Sequence, residues 1–76
     1  MNKVLRIRHQ NDLWWSMITY ETVLSWNNFH IIAVDDETCI IQVDGDVVLE
    51  LKREDYDKII DDKAFNLKFG VKKHSF

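Results

Sequence analysis

Three groups of residues have the right types to do chemistry. Glu50-x-Lys52, with Asp36 and Asp46 upstream, echoes the carboxylate and lysine set of metal-dependent nucleases. In such a set the carboxylates hold Mg²⁺ and the lysine helps position the attacking water. Cys39 is the only cysteine, and it would be a nucleophile if His30 reached it. His9 and His30 could meet as metal ligands if their strands were neighbours.

Each group has a plainer reading. An E-x-K pattern arises by chance in any strand with a polar face, and 76 residues leave little room for a substrate cleft. Pairing Cys39 with Val34 across a hairpin leaves His30 at its far end, so the thiol reads as a small buried hydrophobe. The histidines, His9, His30 and His74, share no metal-ligand spacing. Two glycines cannot build a phosphate-cradling loop of the G-x-G-x-x-G or G-x-x-x-x-G-K-[ST] kind. No catalytic residue, metal or cofactor is expected, and the chain reads as non-enzymatic.

The aromatic residues are the more unusual feature. Trp14 and Trp15 are adjacent, so their rings cannot point the same way in either a helix or a strand. Trp26 adds a third indole. A chain this short has a thin core, so at least one indole is expected at the surface, where tryptophan dominates interface energetics.

Charge is segregated along the chain. Met1 to His9 holds Lys3, Arg6 and Arg8 and no acid; Gln10 to Leu51 holds eight acids and no Lys or Arg; the remainder is mildly basic, and the net charge is −3. The turn Asp35-Asp36-Glu37, with Asp44, Asp46 and Glu50, makes an acidic rim suited to a basic partner. The bland reading is that acidic turns simply sit on one rim and basic strands on another.

These residues must be positioned by one domain spanning 1–76. Val4–His9 alternates as a strand. Phe29–Val34, Cys39–Val43 and Val47–Leu51, punctuated by acidic turns, read as a meander over 29–51. A three-residue loop at Asp44–Asp46 sets Val43 opposite Val47, Ile41 opposite Leu49 and Cys39 opposite Leu51, all on one apolar face. The first hairpin then adds Val34, Ile32 and His30 to that face. Arg53–Asp62 is a short helix, and the alternation of Phe65, Leu67, Phe69 and Val71 predicts a last strand near 65–72. Between Asp12 and Trp26, the spacing of Leu13, Met17, Tyr20 and Leu24 favours helix; a strand over Leu13–Thr19 followed by a helix over Tyr20–Trp26 is the rival. The expected fold is α+β, an antiparallel sheet of four to five strands with one or two short helices. An SH3-like small barrel is the alternative.

The functional expectation is a protein-binding module, a regulator, inhibitor or oligomer-forming accessory protein. Its partner-binding residues would be Trp14, Trp15, Trp26, Asp35, Asp36 and Glu37, and a homodimer is one form such a module takes. The alternative is a nucleic-acid binder using Arg6, Arg8, Lys68, Lys72 and Lys73 with Trp15 stacking. Net acidity disfavours that reading, which also requires the first and last strands to lie side by side. No apolar run approaches the roughly 20 residues that span a bilayer. A lone cysteine and the absence of a signal-peptide pattern suggest a cytoplasmic protein.

Overall fold

The computed structural model describes residues 3–70. In chain order the elements are β1 (Val4–His9), β2 (Ser16–Thr19), α1 (Tyr20–Ser25), β3 (Phe29–Val34), β4 (Thr38–Val43), β5 (Val47–Lys52), α2 (Arg53–Ile59) and α3 (Lys63–Phe69). The strands form one antiparallel sheet in the order β2-β1-β5-β4-β3. The fold is therefore α+β. The sheet is open, with β2 and β3 as its edges, so the barrel alternative falls.

Alternation along the strands builds the core. Leu5, Ile7, Cys39, Ile41, Val43, Leu49 and Leu51 are buried on one face, where Val23 of α1, Ile59 of α2, Ile60 and Phe65 of α3 join them. Each such side chain contributes about 1.5–3 kcal/mol on burial. The β4–β5 register follows the face matching: Val43 pairs with Val47, Ile41 with Leu49 and Cys39 with Leu51. Gly45 and Asp46 take left-handed φ values of 70° and 61° in the intervening turn, a conformation that glycine and aspartate tolerate better than most residues.

The first hairpin departs from expectation at one residue. Phe29 and Ile31 pair with Val43 and Ile41, but the register shifts before Ala33 meets Ile40 and Val34 meets Cys39. Ile32 is the extra residue of a bulge, which sets two residues against one and changes which side chains face inward. Phe29 is consequently buried, while Ile32 is 55% exposed and His30 is also exposed. His30 and Ile32 therefore do not belong to the core face.

The strand expected near 65–72 is instead α3 over Lys63–Phe69; residues 71 and 72 lie outside the described residues. The Asp62 carboxylate accepts the Ala64 N–H at 3.0 Å, and Gly70 closes the helix in the left-handed region at φ 67°, an N-cap and C-cap pair that outweighs the alternation. Phe65 and Phe69, four apart, meet Phe29 with ring centroids at 4.8 and 5.5 Å, whereas Leu67 points to solvent. The segment from Asp12 to Trp26 follows the strand-then-helix alternative, with a shorter strand. Its junction is Thr19, whose hydroxyl accepts the Thr22 N–H and caps α1.

The passage from β5 into α2 creates one buried ionic site. Strand pairing of β1 with β5 ends at Ile7 and Leu51, because the chain turns into α2 directly after Lys52. The buried Asp55 carboxylate takes the place of a strand carbonyl and accepts the Arg6 N–H at 2.8 Å. It also accepts Arg6 Nε at 3.0 Å and Lys58 Nζ at 3.2 Å. Burial pushes this carboxyl upward, but the bonds from Arg6 and Lys58 together hold it below its ordinary value.

Candidate protein-binding surface

The connection from β1 to β2 and the start of β2 carry the most exposed apolar residues of the sheet. Asn11 adopts a left-handed φ of 76°, and the Asp12 N–H returns to the His9 carbonyl at 3.0 Å. This tight turn lifts the next residues off the sheet. Leu13, Trp14 and Met17 are 83%, 82% and 71% exposed. A single exposed apolar side chain is ordinary, but two in succession, Leu13 and Trp14, are not; Met17, opposite Arg6, stands on the other face of β2. Behind Trp14 lies a cleft of about 210 Å³. Trp14, Trp26, Ile7, Ile18 and Leu49 supply its apolar walls, and Arg8, His9, Asp12 and Ser16 its polar positions.

Trp15 lies apart from this patch. Because Ile7 pairs with Ser16, continuing the antiparallel register sets Trp15 opposite Arg8, on the face away from the core. Arg8 and Lys52 each hold a cationic group 4.4 Å from the indole centroid. Two Arg8 nitrogens also bind one Glu50 carboxylate oxygen, at 2.9 and 3.1 Å. Trp15 is half-buried under these contacts. The two adjacent tryptophans thus serve opposite faces, as extended chain demands, and Trp26 joins Trp14 on the core side, packed against the core beside Phe29.

The acidic turn stands elsewhere. Asp35–Glu37 joins β3 to β4 at the edge opposite β2. The N–H groups of Thr38 and Glu37 both reach the Asp35 carboxylate at 2.8 Å and hold it below its ordinary value. Arg53 donates to the Asp35 carbonyl at 2.9 Å. Asp35 therefore shapes the turn, while Asp36 and Glu37 project outward. The aromatic and acidic residues read from sequence as one partner surface are split between two edges of the sheet.

The basic set is dispersed as well. Arg6 is engaged by Asp55 and Glu54, and Arg8 by Glu50. Lys68 rides on α3, in the layer that covers the core face, so it does not merge with Arg6 and Arg8 as a last strand would have allowed. Lys72, Lys73 and His74 lie outside the described residues.

The sequence's chemical candidates are separated in the same way. Glu50 is tied to Arg8 and Lys52 sits over Trp15, while Asp36 and Asp46 occupy turns at opposite ends of β4. His9 on β1 and His30 on β3 are separated by β5 and β4 and cannot meet. Cys39 is buried beside Val34 and Leu51, and that burial pushes its thiol up to about 12. Among the described residues, no group of three or more His, Cys, Asp or Glu side chains is placed to hold a metal ion. Nor is any described helix long and apolar enough to cross a membrane.

Sequence reasoning missed the cleft and the exposure of Leu13 beside Trp14. The signal available was Asn11-Asp12, a turn-forming pair just ahead of Leu13 and Trp14. Comparisons with protein-family models, with curated proteins and with solved structures find no match.

Proposed function

We propose that this chain is a small non-enzymatic protein-binding module whose interface is Leu13 and Trp14 with the cleft between Trp14 and Trp26, bordered by the edge of β2 at Met17. The observation that carries this reading is the exposure of Leu13 and Trp14 beside a formed cleft. Keeping a leucine and a tryptophan in water forgoes about 1.5–3 kcal/mol for each that burial would return. A partner that covers them recovers that energy, and a central tryptophan commonly carries 2 kcal/mol or more of an interface.

Trp15 borders this interface from the other face and supports β1. Asp35, Asp36 and Glu37 lie outside it, at the opposite edge. The nucleic-acid reading is weaker, because Arg8 and Lys52 already occupy the Trp15 indole that a base would need to stack upon.

The test compares immobilised wild-type protein with Trp14→Ser, Leu13→Ser and, as a control at another exposed apolar residue, Leu67→Ser. Native lysate is passed over each, and sedimentation of the purified proteins checks self-association. The expected result is a binding partner, or a dimer, lost in the first two variants and kept in Leu67→Ser. Equal binding by all four proteins would overturn the reading.

A further inference from the structure

Resting on that protein-binding reading, we propose that the partner presents an extended basic segment that adds as a strand to the free edge of β2 and seats one side chain in the cleft behind Trp14. The first support is hydrogen-bond parity. The Tyr20 N–H reaches the Lys3 carbonyl at 2.9 Å, and Leu5 pairs with Ile18 and Ile7 with Ser16. Alternate residues of an antiparallel strand bond to alternate sides, so Ser16 and Ile18 turn their backbone groups to β1. Met17 turns its N–H and C=O outward, ready for another strand.

The second support is the lack of protection. An edge strand is ordinarily guarded by shortness, lysine, proline or a bulge, and β2, at four residues, has only the first. Ser16–Thr19 contains no lysine or proline and pairs with β1 without a register shift, whereas the other edge, β3, is bulged at Ile32. Side chains of an added strand alternate between faces, which is how strand addition couples backbone affinity to side-chain pockets. Those on the core side would fall beside Ser16 and Ile18, at the mouth of the cleft. At about 210 Å³ the cleft is below the range of cofactor sites, roughly 300–1,000 Å³, and suits one large side chain.

Charge selects the occupant. Asp12 precedes β2 and lines the cleft, Glu21 follows the strand, and no Lys or Arg occurs from Gln10 to Leu51. The cations beside β2 are already paired: Lys3 with Asp62, Arg6, opposite Met17, with Asp55 and Glu54, and Arg8, which lines the cleft, with Glu50. A second copy pairing antiparallel through β2 would bring the Asp12 end of each chain toward the Glu21 end of the other. A basic segment meets attraction at both ends.

The probes are synthetic strand-forming peptides with a central leucine, one flanked by lysine and arginine and one by glutamate. A third is the basic peptide with alternate backbone amides methylated. Binding is followed by tryptophan fluorescence and by amide shifts in NMR spectra. The basic peptide should bind at least about tenfold more tightly than the acidic one, and shift Met17, Thr19 and the Trp14 indole. Methylation should weaken it by a similar factor. Met17→Pro removes the outward N–H without touching the bonds to β1, a place where edge strands accept proline, and should abolish binding at an unchanged melting temperature. If that variant fails to fold, the methylated peptide makes the same decision. No binding, equal affinity for both charges, indifference to methylation, shifts confined to β3, or self-association removed by Met17→Pro would each overturn strand addition. Should the peptides fail while lysate capture still depends on Trp14, the binding patch stands and only strand addition falls. Should capture be indifferent to Trp14 as well, both fall.

Discussion

Asp55→Ala tests how the sheet is joined to α2. The carboxylate accepts four bonds, from the Arg6 N–H, Arg6 Nε, Arg6 Nη2 and Lys58 Nζ, and is 1% exposed. Its loss leaves the Arg6 backbone N–H unpaired, which costs about 1–3 kcal/mol. The Arg6 side chain is 40% exposed and regains water, so the ionic part adds little. The total should stay below the 3–5 kcal/mol typical of breaking a fully buried pair, at about 2–3 kcal/mol. For 76 residues the whole stability is about 4–11 kcal/mol, so the variant should melt about 10–20 °C lower. Urea and thermal unfolding, with Glu54→Ala as the exposed control, measure this. Acid provides a second reading. The folded carboxyl is held below its usual value of 3.8, so its contribution is complete above that value and is lost as the pH falls through the folded one. Asp55→Asn should therefore lose less stability than wild type as the pH falls below about 4. A melting temperature within about 2 °C of wild type for Asp55→Ala would refute the reasoning, as would an undiminished acid dependence in Asp55→Asn.

Further outcomes follow from the core and its two faces. Ile41→Ala, at a fully buried position, should cost about 2–5 kcal/mol, and Ile40→Ala, half-buried on the other face, clearly less; denaturant melts rank the two. Cys39, with its thiol pushed up to about 12, should resist a thiol-specific disulfide reagent at pH 8 in the native state and react once unfolded. Trp15→Ala should lower stability by about 1–2 kcal/mol, from two cation contacts of about 0.5–1 kcal/mol each, while partner binding survives; loss of binding without loss of stability would place Trp15 in the interface instead.

The β4–β5 hairpin was legible because its two apolar runs share one face only in one register, and the three-residue turn at Asp44–Asp46 permits that register. The bulge at Ile32 was not, because Phe29–Val34 is apolar at nearly every position and either parity looks acceptable. The alternation of Phe65, Leu67 and Phe69 hid a helix whose caps, Asp62 and Gly70, were visible in the sequence. Leu13 and Met17 misled for a different reason. Their helical spacing with Tyr20 and Leu24 reads as a buried stripe only if all four residues face a core, and these two face solvent. The candidate surface was legible as an excess of tryptophan. Which tryptophan faces outward depended on the register of β2 against β1, which no local pattern carries.

Hydrogen–deuterium exchange on the free protein and on its complex with the captured partner reads the interface most directly. The expected result is slowed exchange across His9 to Thr19, strongest at Met17 and Thr19, with Phe29–Val34 and Asp35–Glu37 unchanged. Protection gathered on β3 and the acidic turn, or on the face of Arg8 and Glu50, with the amides of His9 to Thr19 unaffected, would contradict it.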